Sequence, residues 1–152
     1  IVQELHRDGY VTKPLQPAFL ANFTTNNDNM SINTHHHQYF NIEIFDKNGD
    51  YASNVFTAPV TGTYVFYVTM RLDAMDTDAA YYYLYLSGSN REITLDIIDP
   101  DGFDSDPAKW TLQGSMMLDM DANDVAKIYV YQSGGSAQTD FIEGYFGGYL
   151  VA

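Results

Sequence analysis

The strongest constraint on this chain is a recurrence. Runs rich in Val, Ile, Thr, Tyr and Phe alternate with turn signals at a spacing of roughly ten residues, and no window of about 11 residues carries a helical period. The segment FTAPVTGTYVFYV (56–68) shows how each unit is built. Pro59 and Gly62 frame a turn that launches a run of β-favouring residues. Within its continuation, Tyr64, Phe66, Val68 and Met70 fall on one face and Val65, Tyr67, Thr69 and Arg71 on the other. Apolar groups on both faces mark a strand covered on both sides.

The same logic places further strands along the chain. PAFLANF (17–23) reads as a short strand, and TTNNDNMSINT (24–34) as a polar, Asn-rich loop. HHHQYFNIEIF (35–45) reads as one strand ended by the Asn48-Gly49 turn. YYYLYLSG, REITLDII, AKIYVYQ and FIEGYFGGYLV follow as strands. WTLQGSMMLDM puts Trp110, Leu112, Met116, Leu118 and Met120 on one face. The prediction is an all-β domain of two packed sheets, a sandwich or a barrel. Residues 1–16 have no clear period and read as a lead-in or stalk connection. The opening on Ile1 reads as a processing boundary, with more chain expected upstream.

Composition narrows the function. The 152 residues include 13 Tyr and 9 Phe, enough for a substantial aromatic core. The chain has no Cys, which excludes disulfides, thiolate metal sites and Cys nucleophiles. The net charge is −13, which argues against nucleic acid as a partner. No run reaches the roughly 18 apolar residues of a membrane span, so membrane insertion is not expected. The motifs G-x-S-x-G, P-loop and HExxH are absent, and the expectation is a protein that is not an enzyme.

Several segments together resemble the globular head of complement C1q, whose jelly-roll fold is shared with tumour necrosis factor. Phe56, Ala58, Pro59, Gly62, Tyr64 and Phe66 carry the central motif of that family. PAFLA, YFNIEIFDKNGDY, LQGSMMLDMDANDVAKIYVY and the closing YFGGYLV follow in the family's order, over residues 17–152. Val55 and Asn123 stand where the family usually has Gly. The resemblance implies a two-sheet jelly-roll sandwich and a homotrimer at the tip of a fibre or secreted protein, extracellular or on a cell, spore or virion surface. Recognition of a protein, glycan or cell-surface ligand is one expected duty. Trimerisation or capping of a phage, virion or spore-surface fibre is the alternative.

Charge and strand parity point to candidate sites. Residues 73–124 hold 12 acids and two bases. Alternating strand directions bring the connections at 72–79, 99–109 and 133–140 to one end, an acidic apex with Asp73, Asp76 and Asp78. In DPDGFDSDP, Asp99, Asp101, Asp104 and Asp106 surround a Gly between two prolines and form a candidate Ca²⁺ loop beside the solvated-loop alternative. No other cofactor is expected. On a strand, His35 and His37 share a face opposite His36; near a threefold axis one of them per chain could bind Zn²⁺ or Ni²⁺, and at an interface they would make assembly pH-sensitive. Tyr81, Tyr83 and Tyr85 alternate with Tyr82, Leu84 and Leu86; the first three are candidates for a trimer interface or an aromatic platform, and the second three for the core. NFT (22–24) and NMS (29–31) match glycosylation sequons.

Overall fold

The computed structural model describes residues 3–9, 11–23 and 29–151. Strands dominate it. In chain order they are β1 (Glu4–Leu5), β2 (Val11–Thr12), β3 (Ala18–Asn22), β4 (His35–His37), β5 (Ile42–Asp46), β6 (Tyr51–Ala52), β7 (Val55–Thr57), β8 (Gly62–Asp73), β9 (Ala79–Gly88), β10 (Glu92–Ile98), β11 (Lys109–Met120), β12 (Val125–Gly134) and β13 (Asp140–Leu150). One turn of 3₁₀ helix, Pro100–Gly102, sits between β10 and β11. The lead-in carries a small antiparallel ribbon, β1–β2.

Two antiparallel sheets face each other. One runs β11-β8-β13-β3-β5. The other runs β10-β9-β12-β7-β6, with β4 also paired to β12. Apart from the hairpins β6–β7 and β9–β10, consecutive strands of the sandwich lie in opposite sheets and distant strands pair, as in a jelly roll. This is the all-β two-sheet sandwich the strand spacing predicts. One expected strand divides. Residues 35–45 leave the sheet of β12 after His37 and join the opposite sheet at Ile42 as β5. Gln38 still donates its N–H to the Ile128 carbonyl (2.8 Å), and Phe40 is buried between the layers. A chain that crosses from one layer to the other must abandon its ladder there, so a continuous strand cannot form.

The core is an aromatic seam. On β8, Tyr64, Phe66, Val68, Met70 and Leu72 are buried, while Tyr67 and Thr69 are exposed. Phe66 lies 5.3 Å from Phe56 and 5.9 Å from Phe146, centroid to centroid. Phe19 stacks on Tyr51 at 4.7 Å and on Phe56 at 5.1 Å. The buried tyrosines keep their hydroxyls paired, as a low-dielectric interior requires. Tyr64 donates to the Val60 carbonyl (2.7 Å), tying the Pro59 turn to β8, and Tyr51 donates to the Phe40 carbonyl (3.0 Å). Leu112, Leu118 and Met120 of β11 are buried, with Trp110 and Met116 packed partly against them, as the alternation predicts.

Gly148 pairs with Phe66 across β13 and β8. A Cβ there would stand 2.6 Å from Phe66 Cδ1 and 2.7 Å from the Val65 carbonyl oxygen. The second contact is to backbone and cannot be relieved by a side-chain rotation. Gly148→Ala is therefore expected to destabilise the fold by about 1–3 kcal/mol through overpacking. Gly102→Ala, with nothing within 4 Å of the added carbon, is expected to be near neutral. Thermal melts of the two variants check this; equal melting points would remove the role given to Gly148.

Candidate functional site: a loop cluster and two outer faces

The connections β8–β9, β10–β11 and β12–β13 meet at one end, as strand parity predicts. Ala74 and Met75 donate their N–H groups to the carbonyls of Ala108 and Pro107 (both 3.1 Å). The hub is Asp76, only 3% exposed. Its carboxylate accepts from the backbone N–H groups of Ala137 (2.6 Å) and Ser136 in the third connection and of Asp78 (2.9 Å) in its own. Burial by itself would raise the Asp76 pKa; the donors outweigh it and hold the carboxyl below its ordinary value. Gly135 has φ 101°, and a Cβ there would stand 2.5 Å from Asp76 Oδ2. The Gly/Ser composition of this loop thus makes room for the carboxylate.

The remaining acids of the loop end divide into caps and surface. Asp78 accepts from the Ser136 hydroxyl (3.0 Å). Asp106 accepts from the Thr77 N–H (2.9 Å) and hydroxyl (2.6 Å), bonds that also hold its pKa down. Asp99 caps the 3₁₀ turn by accepting from the Asp101 N–H (3.0 Å). Asp101 and Asp104 are exposed. Asp73 ends β8, and its Oδ1 is buried with no hydrogen-bond partner among the described residues. Asp76, Asp78 and Asp106 thus share one network across three loops, while Asp99 caps its own turn. Among the described residues no three His, Asp or Glu side chains are placed to hold a metal ion within one chain.

Two elements of this end escape sequence reasoning. Gln132 and Thr139 are fully buried; Gln132 Nε2 donates to the Ala137 carbonyl (2.8 Å), and the Thr139 hydroxyl lies 2.8 Å from that of Tyr82. The Asn-rich segment also arrives here. Met30 donates to the Thr139 carbonyl (2.9 Å), and Asn33 Oδ1 accepts from the Gly134 N–H (2.8 Å). Asn29 and Asn33 have φ of 61° and 58°, so the usable signal was the tolerance of Asn for left-handed backbone. Of the two sequons, NFT ends at Thr24, outside the described residues, and Asn22 sits in β3 with its Oδ1 buried.

The two outer faces differ. On the five-stranded sheet, Val65 and Tyr67 of β8 stand beside Tyr145 and Tyr149 of β13, Leu20 of β3, Phe45 of β5 and Met117 of β11. Tyr67 is 49% exposed, Met117 56%, and Tyr67 stacks on Tyr149 at 6.3 Å. A shallow apolar depression of about 380 Å³ opens among these groups. On the six-stranded sheet, Tyr82, Leu84 and Leu86 point to the core; Tyr81 and Tyr83 are half-buried on the outer face, and Tyr85 beside them is buried, 5% exposed. There Tyr85 stacks on Tyr129 (5.2 Å), its hydroxyl lies 2.9 Å from His35 Nδ1, and His35 packs on Tyr131 (4.5 Å). His37 stacks on Tyr129 (5.2 Å) and donates to the Asn54 carbonyl (3.2 Å), while His36 donates to the Ser31 carbonyl (3.0 Å). The three histidines thus fasten the edge strand β4. Desolvation is the main reason that His37 titrates below the ordinary histidine value.

Asp76→Asn places an NH₂ group among N–H donors. It is expected to cost about 1–3 kcal/mol of stability above pH 5. Because the Asp76 pKa is lowered on folding, its contribution is full above the unfolded value near 4 and fades as pH falls through the folded value. Wild type should therefore lose its advantage over Asp76→Asn as the pH falls below about 4. Denaturant melts of both proteins across that range check this, and a constant gap would contradict it.

With the geometry in place, the comparisons identify the fold and family. The C1q domain model matches residues 18–151. No curated protein matches the chain. The globular domain of the zebrafish complement 1qA protein superposes with a TM-score of 0.66 at 19% identity, covering 90% of this chain and 98% of that one. Murine APRIL gives 0.55 at 11% identity, covering 90% and 99%. The vertex protein P5 of PRD1 gives 0.58 at 10% identity, covering 90% and 97%. The order of strands, the aromatic seam and the family match over residues 18–151 agree: this chain belongs to the C1q domain family.

Proposed function

We propose that this chain is the non-enzymatic head of a homotrimer that buries the outer face of its five-stranded sheet and meets a ligand or surface with its loop end. The carrying observation is the concentration of exposed Tyr67, Tyr145, Tyr149, Phe45 and Met117 on that one face. A contiguous apolar patch of this kind marks an interaction surface. A second observation supports the same face. Asn22 Oδ1, Arg71 Nε and Asp73 Oδ1 are buried without partners among the described residues, and all three residues lie on the outer side of this sheet toward the loops. A neighbouring copy would supply partners there. The Tyr81, Tyr83 and Tyr85 face then stays outside the trimer. A protein, glycan or cell-surface ligand fits a head of this type, in an extracellular, cell-surface, spore-surface or virion setting.

The fold shared with the PRD1 vertex protein favours a second reading, a structural cap whose duty is assembly. Glycan and cell-surface binding by the intact protein separates the two; a cap binds neither. Calcium belongs to the proposal through symmetry. Three copies would triple the aspartates of the loop end, and their mutual repulsion would be relieved by a cation. EDTA is then expected to lower the melting temperature of wild type but not of the Asp101→Asn, Asp104→Asn double variant. An equal response of the two proteins removes the metal.

The interface is tested by paired variants. Tyr67→Asp with Tyr149→Asp is expected to give a folded monomer by sedimentation, whereas Tyr83→Asp should sediment as wild type does. Dissociation by Tyr83→Asp and not by the double variant would move the interface to the other sheet.

A further inference from the structure

A groove on the six-stranded sheet, outside the face given to assembly, has the chemistry of a cation site. It occupies about 430 Å³ between β9 and β10 and is lined by Tyr81, Tyr83, Tyr85, Glu92, Thr94 and Ile97. A register shift in β10 between Thr94 and Asp96 shapes it. Simple alternation would set Thr94 outward and Ile97 inward. The extra residue turns Ile97 outward instead, opposite Tyr83, where it is 59% exposed. Toward β12 the tyrosine rings are covered by Tyr129 and Tyr131, at 5.2 Å from Tyr85 and 5.4 Å from Tyr83. Toward β10 they line the groove. The half-buried rings of Tyr81 and Tyr83, with the buried Tyr85 ring beside them, therefore lie across from an aliphatic side chain, a hydroxyl and one carboxylate.

We propose that this groove binds an organic cation of the quaternary-ammonium class. Glu92 is the only charged residue in the lining, none of the six is basic, and the whole chain carries −13. The electron-rich faces of tyrosine attract a cation, and Glu92 at the rim adds a counter-charge. Phenols are neutral at neutral pH, and burial first, then Tyr81 and Glu92 at Tyr83 and Glu92 at Tyr85, raise their pKa values further. An anion meets no basic group here. A neutral sugar brings many hydroxyls, whereas the Tyr85 hydroxyl is already engaged by His35 and few polar groups converge on the groove. A primary ammonium keeps a tight hydration shell that one carboxylate cannot replace. A methylated ammonium has no N–H groups to satisfy and can lie directly against the rings. The groove belongs to one protomer, so this proposal does not rest on the trimer.

Choline is the probe, titrated into the intact protein with the tyrosine ring signals followed by NMR. Saturable shifts confined to Tyr81, Tyr83 and Tyr85 are expected. Glu92→Gln should weaken binding about fivefold and Tyr83→Ala by tenfold or more, the order set by loss of a counter-charge and of a ring face. The neutral isostere 3,3-dimethylbutan-1-ol should bind at least about fivefold more weakly than choline, because it lacks only the charge. Absence of saturable binding overturns the proposal. So does equal binding of the isostere, or saturation of the same rings by N-acetylglucosamine in place of choline. Glu92 is exposed, so the Glu92→Gln result stands even where Tyr83→Ala fails to fold.

Discussion

The packing of Phe66 over Gly148 is the contact on which the rest of this molecule depends. The pair joins the middle of β8 to the closing residues of β13 in one sheet, and the Phe66 ring then reaches Phe56 of the other. Only a residue without a side chain leaves room for that ring against the Val65 carbonyl. Around it Phe19, Phe146, Tyr51 and Tyr64 close into one aromatic seam. Burial of this much ring surface is the dominant favourable term available to a chain without disulfides. Once the seam fixes the register of β8, the outward residues are fixed as well, because the side-chain period of a strand is two. The same 12 residues thereby define both the interior and the apolar exterior of the five-stranded sheet.

The loop end is built on a different principle. Beside the buried Met75 and Tyr82, one buried carboxylate gathers N–H donors from two of the three connections. Asp76 joins β8–β9 to β12–β13, and Asp106 joins β10–β11 to β8–β9. Acids thus serve as internal ties at the base of the cluster and as solvated charge at its tip, where Asp101 and Asp104 project. A surface held in this way presents negative potential on a fixed frame, which favours selection of cationic or neutral partners over anionic ones.

Much of this was legible in the sequence because strand alternation is a local signal. The β8 pattern, the inward face of β11 and the common end of three connections all follow from period and parity. The division of residues 35–45 between sheets was not legible, since nothing in HHHQYFNIEIF marks where a strand changes layers; the reason lies in the Ile128 carbonyl and the packing of Phe40 against Phe23 and Phe146. Asp76 could not be told from its acidic neighbours either. Two of its donors are backbone groups 60 and 61 residues away, and a backbone donor leaves no trace in residue identity. The register shift that turns Ile97 outward is equally silent, because REITLDII alternates well enough to read as a plain strand.

In the proposed homotrimer β8 is an interior strand on both of its sides, facing the seam on one and a neighbouring copy on the other. The solution mass of the unmodified protein, measured by light scattering over a range of concentrations, tests it most directly. A particle of three times the 17.2 kDa chain mass, stable to dilution, is expected. A particle of one chain mass at every concentration would leave Tyr67, Tyr145 and Tyr149 in water and would contradict it.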